Sequence, residues 1–382
     1  MKSKRTLKAV ILAIFLISFV SASVLFHDVF IYLTARSVAY SAKTYLPEKG
    51  ITLPDFTTQV RAEVTKPIQS TVTATETTTK PDKTVSKESG EDFTATPDDI
   101  LSAIALRKKT AHEDKKDAGI KTKQYKNDGV TDSFGRVRVK NVNKTGIDIE
   151  KILGEKIDLS TQKDKPSVLI FHTHTTETYQ ILDRGFYETG FMTRTKDSAL
   201  NMVRVGKAIC EEIEKAGYGV IHDTEIHDAS YNGAYAHSRK SVEAILKENP
   251  SIQVVLDIHR DAIQLSDGTK IKPTAEIKGK KAAQIMIISG CQEEGNPITN
   301  LPDWRYNLTF AVHLQDKLEE LFPGITRPLY FCPRSYNMNV THCSLLVEVG
   351  SDANTLEEAV YTGKCIGTAL REILKEYDKS SE

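Results

Sequence analysis

Closely spaced cysteines are missing from this chain. Its five cysteines, Cys210, Cys291, Cys332, Cys343 and Cys365, form no CxxC pair or other short ligand spacing, which argues against a cysteine-built metal site. The odd count leaves at least one thiol free. Cys210 and Cys365 fall on expected helices as core residues, whereas Cys332 and Cys343 are open to pairing across a loop. Net charge is missing as well: 51 basic side chains face 51 acidic ones, so no electrostatic footprint of nucleic-acid binding is present. There is no GxSxG elbow, no Walker A loop and no GxGxxG turn. Support is therefore lacking for serine-hydrolase chemistry, P-loop phosphate binding or a dinucleotide fold. No internal repeat is visible.

Long apolar runs are also scarce, with one exception at the start. Lys2, Lys4, Arg5 and Lys8 precede an apolar run over residues 9–26, and ~18 such residues are about enough for a helix to cross a bilayer core. No further Lys or Arg follows until Arg36, so the basic flank orients the rest of the chain outside the cytoplasm. A cleaved signal peptide is the rival reading, with Ser21, Ala22 and Ser23 as the small residues at its cut. Continuation of the apolar character through residues 29–33 favours an uncleaved anchor spanning residues 1–35. Residues 36–164 are rich in Thr, Lys, Asp and Ser, as in TVTATETTTK at 71–80. Such a composition buries little apolar surface to offset the entropy of ordering. It predicts a mostly disordered extracytoplasmic stalk, with short helices near 97–109 and 148–153.

From 165 to 382 the pattern changes to strands alternating with amphipathic helices. Strands are expected at 167–172, 218–222, 253–258, 283–289, 329–332 and 344–349. Helices are expected at 196–216, 233–248, 307–321 and 355–377. Leu200, Val203, Val205, Ala208, Ile209 and Ile213 recur at helical spacing, and Gly217 ends that helix. The alternation predicts an α/β domain built on a mainly parallel sheet with helices on both faces.

Three chemistry-bearing segments fall at strand ends of this scheme, where such folds gather their sites. They are His172-Thr173-His174 with Glu177 beyond it, Asp257-Ile258-His259-Arg260-Asp261, and Glu348 within an apolar run. Zinc takes His nitrogen and Asp or Glu oxygen and, in catalytic sites, keeps one position for water. His172, His174, Glu177 and His259 are the candidate ligands, one more than three, so one of them lies outside the ligand set. His259 is the firmest, with Asp257 and Asp261 beside it as carboxylates able to orient its ring. Residue spacing does not choose among His172, His174 and Glu177. Glu348 is a carboxylate that is costly to bury. Either Arg260 or Arg334 neutralises it, or it serves as a general base of raised pKa. Tyr336, Asn339 and Arg260 are candidates for positioning a substrate. His222, His227, His237 and His342 look less useful as ligands.

Together these segments resemble the stage II sporulation protein P family of endospore-forming bacteria. The resemblance rests on VLIFHTHTTETY (168–179), LNMVRVGKAI (200–209), LDIHRDA (256–262) and SLLVEVGSDANTLEEA (344–359). It implies a zinc-dependent N-acetylmuramoyl-L-alanine amidase with an amidase-like fold. Such an enzyme cuts the bond between muramic acid and the first alanine of the stem peptide, and endopeptidase activity is also credited to the family. It further implies a setting in the engulfing septal membrane of sporulating cells, with the lytic transglycosylase stage II sporulation protein D as partner. By motif position the metal histidines fall on His172, His174 and His259, and the essential glutamate on Glu348. The broader amidase family has a zinc-binding glutamate near the start of the first helix, where this chain has Lys196 and Asp197. Glu177 is then the candidate third ligand, with His174 or His172 as competitor. Two rival classes are an inactive membrane-anchored wall-binding scaffold and a zinc peptidase confined to the stem peptide.

Overall fold

A computed structural model describes residues 92–111, 114–163, 165–230, 232–293 and 300–379. All belong to one compact unit. The expected anchor over residues 1–35, and the stalk as far as residue 91, lie outside the described residues. Among the described residues no helix is long and apolar enough to cross a membrane.

The elements run in the order α1 (Asp98–Thr110), β1 (Lys116–Lys123), β2 (Asp132–Phe134), β3 (Val137–Asn141), α2 (Ile149–Leu153), β4 (Pro166–Phe171) and β5 (Phe186–Glu188). Next come α3 (Met202–Glu214), β6 (Gly219–His222), α4 (Ala234–Glu248), β7 (Val254–Asp261), β8 (Lys270–Ile277), β9 (Lys280–Ala283) and β10 (Ile285–Gly290). The chain ends with α5 (Trp304–Leu321), β11 (Leu329–Cys332), β12 (Cys343–Ser351) and α6 (Leu356–Glu376).

An eight-stranded sheet in the order β2-β3-β11-β10-β12-β7-β4-β6 carries the core, and a second sheet of four strands has the order β5-β1-β8-β9. Both sheets are mixed, which corrects the mainly parallel expectation. β6, β4, β7 and β12 are mutually parallel, but β10 returns antiparallel to β12 and β2 antiparallel to β3. Strand direction is set by how each connection re-enters the sheet, and the apolar runs do not encode it. The consequence for the site is that the carboxyl ends of β4, β7 and β12 still share one edge.

Burial divides the strands by alternation. Leu169, Phe171 and Val255 pack with Val242 of α4, whereas Val168, Ile170, Leu256 and Ile258 join the main core with α3 and α6. Helix α3 begins where the Asn201 side chain accepts from the Val203 amide. It buries Met202, Val205, Ala208, Ile209 and Ile213, the four larger side chains each contributing roughly 1.5–3 kcal/mol. Helix α6 opens on a reciprocal capping box between Thr355 and Glu358. It presses directly onto α3 because Gly367 has no side chain: a Cβ there would sit 2.5 Å from the Ile209 carbonyl oxygen.

The span expected to be stalk also holds structure. The short helices α1 and α2 lie where they were anticipated, but β1, β2 and β3 were not. β3 pairs with β11 and β1 with β8 and β5, so these polar strands are organised by partners far along the chain. Phe93 stacks on Phe322 at 5.7 Å, and Asp99 pairs with Arg204 of α3 at 2.6 Å. All five cysteines are buried free thiols, so Cys332 and Cys343 do not pair.

Candidate active site

β7 and β12 are parallel and in register, with His259 beside Glu348 and Asp257 beside Leu346. Residues level with each other on neighbouring strands point to the same face, and so do residues two apart on one strand. Asp257, His259 and Glu348 therefore share a face at the carboxyl edge of the sheet.

β4 stops at Phe171, and the segment from His172 to Thr178 turns over this edge. Threonine makes the turn. Thr173 donates to Asp257 through its amide (2.8 Å) and hydroxyl (2.6 Å). Thr175 donates to the carbonyls of His172 and Glu225, and Thr176 to Asp228. The Thr175 hydroxyl serves backbone carbonyls that the ending strand no longer pairs, while Thr173 and Thr176 tie the turn to carboxylates.

The turn separates the two histidines that sequence spacing placed together. His172 faces away from Glu348 and into the core side. Its Nδ1 donates to the Ile258 carbonyl oxygen (3.0 Å), and its Nε2 lies 2.9 Å from Nε2 of His222. With the His172 proton on Nδ1, its Nε2 must accept, so His222 carries its proton on Nε2. Burial drives both imidazoles down, His172 to about 3 and His222 to about 4. Gly206 of α3 makes the space, since a Cβ there would lie 2.5 Å from the His222 ring nitrogen and 2.6 Å from that of His172. His172 is thus engaged in a neutral, satisfied pair.

His174 instead meets His259: the rings stand edge to face with centroids 5.3 Å apart. Tyr235, in the first turn of α4, packs on both, at 5.8 Å from His174 and stacked at 6.4 Å from His259. Asp257 Oδ1 is 2.8 Å from His259 Nε2, close enough for a strong ion pair but out of line for a hydrogen bond. Burial alone would lower His259, yet Asp257, Glu348 and Glu177 outweigh it and raise the imidazole to about 9. Burial raises Glu348 to about 8 despite the opposing pull of His259. Its Oε2 is buried without a hydrogen-bond partner; neither Arg260 nor Arg334 supplies one. Burial likewise holds the Tyr235 phenol well above its ordinary range, with Asp257 adding to the effect, so it stays a protonated donor.

Glu177 reaches the same region. It accepts from the Arg260 amide (3.3 Å) and from Arg194 (3.4 Å). Arg260 is committed to the Thr178 and Thr193 carbonyls, which removes it as a substrate contact. Asn339 is taken by Arg239, and Asp261 by Arg327. Of the three positioning candidates, only Tyr336 stands at the site, 5.6 Å from Tyr235.

Four of the five sequence candidates, His174, Glu177, His259 and Glu348, are thus brought together, and His172 is not. Among the described residues, no three His, Cys, Asp or Glu side chains are gathered as a closed metal centre. The donor types nevertheless suit zinc: two imidazoles and a carboxylate, beside a buried carboxylate oxygen lacking a partner. Closing the set requires Glu177 to turn from its arginines. Sequence reasoning missed Tyr235, Ser238 and Thr173, whose roles depend on helix–strand contacts that no spacing encodes.

The fold and site define an α/β protein with an imidazole–carboxylate cluster at a sheet edge. Residues 51–371 match the family model described as stage II sporulation protein P, and the chain belongs to that family. It is 30% identical over 210 residues to the stage II sporulation protein P of Bacillus subtilis (strain 168). That match takes in 52% of this chain and 48% of the relative, so it spans about half the relative's length. Among solved structures, the N-acetylmuramoyl-L-alanine amidase AmiC2 of Nostoc punctiforme aligns with 57% of this chain and 98% of its own, at 10% identity and a TM-score of 0.33. The CwlD amidase from Clostridioides difficile, solved in complex with the GerS lipoprotein, aligns with 56% and 100%, at 15% identity and a TM-score of 0.33. TM-scores this low do not equate the folds.

Proposed function

We propose that this protein is a zinc-dependent peptidoglycan hydrolase that cleaves the amide between N-acetylmuramic acid and L-alanine of the stem peptide. The observation that carries the reading is the side-by-side register of His259 and Glu348, with His174 edge-on to His259. Two imidazoles and a carboxylate with one buried, unpartnered oxygen on one sheet edge suit metal-assisted amide hydrolysis, and membership of the sporulation family supports a wall substrate.

In this reading His174, His259 and Glu177 would hold a zinc ion, which would lower the pKa of a water and polarise the scissile carbonyl. Asp257 orients His259. Glu348 takes the proton of the attacking water and returns it to the leaving amine nitrogen, a task suited to a carboxyl raised toward neutrality. In the same reading residues 1–35 are a membrane anchor, and the domain works outside the cytoplasm, at the septal membrane during engulfment. There it works with the lytic transglycosylase stage II sporulation protein D.

The test is mass spectrometry of products from purified peptidoglycan incubated with the zinc-loaded protein. Free stem peptides beginning with L-alanine are expected. Products cut only within the peptide would make the chain an endopeptidase, and binding to the wall without products would make it a scaffold.

A further inference from the structure

Tyr336 and Asn337 are consecutive non-glycine residues with left-handed backbones, φ +42° and +58°. Asparagine tolerates this region and tyrosine does so poorly. Strain of this kind persists where surrounding contacts over-determine it, and it collects at functional sites. Here the contacts are specific. Asn337 Nδ2 donates to the Tyr235 carbonyl oxygen at 2.9 Å and lies 3.3 Å from Ser238 Oγ. Ser238 Oγ is 2.8 Å from Thr173 Oγ1, whose proton goes to Asp257 Oδ2, so Ser238 donates to Thr173. Asp257 in turn pairs with His259. One chain of polar contacts therefore runs from the strained turn to the histidine, holding the Tyr235 backbone at the same time.

Tyr235 sits where this chain closes. Its ring is stacked on His259, is edge-on to His174 and is tilted against Tyr336. Among the described residues its hydroxyl donates no hydrogen bond to the protein, although its backbone is fixed. A phenol whose ring packs beside both imidazoles, and whose proton no described residue takes, is available for charge that develops during reaction.

We propose that Tyr235 is a further catalytic residue and that the Tyr336–Asn337 turn positions it. The proposal rests on the amide-hydrolysis reading above. When the water oxygen bonds to the scissile carbon, the carbonyl oxygen gains the displaced electron pair. The Tyr235 O–H donates to that anionic oxygen without giving up its proton. As the C–N bond breaks, the C=O reforms and Glu348 delivers the water's proton to nitrogen. Asn337 contacts neither substrate nor metal; it acts through the Tyr235 carbonyl.

The experiment compares wild type, Tyr235→Phe, Asn337→Ala and the double variant in two ways. One is steady-state release of stem peptides from peptidoglycan. The other is calorimetric binding of a phosphonamidate analogue of the muramyl-alanine amide, whose anionic oxygen stands in for the intermediate. Tyr235→Phe should lower kcat and analogue affinity by about 100-fold, with KM, zinc content and thermal midpoint unchanged. Asn337→Ala should lower kcat several-fold in the wild-type background and cost nothing further in Tyr235→Phe. Wild-type kcat and analogue affinity in Tyr235→Phe would overturn the role of Tyr235. Equal losses from Asn337→Ala in both backgrounds would overturn the positioning role. A wild-type protein that binds the analogue through Tyr235 yet releases no peptides sinks the hydrolase reading while leaving the donor assignment standing.

Discussion

Two protonation levels at the site decide what individual residues do. Glu348 is raised to about 8 by burial and His259 to about 9 by Asp257, so near neutral pH both hold protons when no cation is present. Zinc binding must expel the His259 proton. Affinity is therefore expected to rise with pH up to about 9, with proton release detectable by calorimetry in buffers of different ionisation enthalpy. A pH-independent affinity would remove His259 from the ligand set. Glu348→Gln keeps the shape and loses the base, so it should retain zinc and lose roughly 10²–10⁴-fold in kcat. The sequence already marked these two residues, because a carboxylate inside an apolar run and a histidine between aspartates are conspicuous. It did not separate His172 from His174. That separation depends on β4 ending at Phe171, one residue before the pair begins.

The buried His172–His222 pair belongs to the scale of elements, since it locks the ends of β4, β6 and β7 beneath α3. In the unfolded chain both imidazoles take a proton near pH 6.5, but in the folded protein they do so only at about 3 and 4. Their contribution to stability is complete above about pH 6.5 and is lost as pH falls toward 4. His222→Asn keeps a donor toward His172 and removes one titrating group. Its melting temperature should fall less between pH 7 and pH 4.5 than that of wild type, and an unchanged slope would contradict the assignment. Helix α6 offers a second case. Gly367→Ala gains helix propensity, yet it drives a methyl group into the Ile209 carbonyl, so a net loss of about 1–3 kcal/mol is expected from chemical denaturation. Amphipathic spacing made α3 and α6 legible. That they touch through a glycine was not, because helical periodicity gives a face but no partner.

For the whole molecule, the boundary of the folded unit changes. Composition placed it at residue 165, whereas folded elements begin in the segment after residue 92. Removing residues 92–164 strips β3 from β11 and β1 from β8, unstacks Phe322, and leaves the buried Arg204 without Asp99. Loss of these pairings removes packing and hydrogen bonds together, and bare strand edges invite association. A protein of residues 165–382 should therefore melt well below one of residues 92–382 and elute as aggregates in size-exclusion chromatography. Equal melting temperatures would show the added strands to be dispensable. These strands escaped notice because sequences such as KDAGIKTK are polar at most positions, and their stability is supplied by pairing with distant segments.

The sequence by itself determined what is local: the alternation of strands and helices, the presence of at least one free thiol, and four of the residues that meet at the site. Each follows from side-chain chemistry or spacing over a few neighbouring positions. Only the tertiary structure decided what depends on long-range arrangement. It turned β10 against β12 and β2 against β3, folded part of the expected stalk into the sheets, and set His172 against His222 while bringing His174 to His259. It also placed Tyr235 and a strained turn at the site through hydrogen bonds between α4, β4 and β7. Contacts between segments far apart in the chain are fixed by how whole elements pack, and a periodicity within one element carries no record of its neighbour.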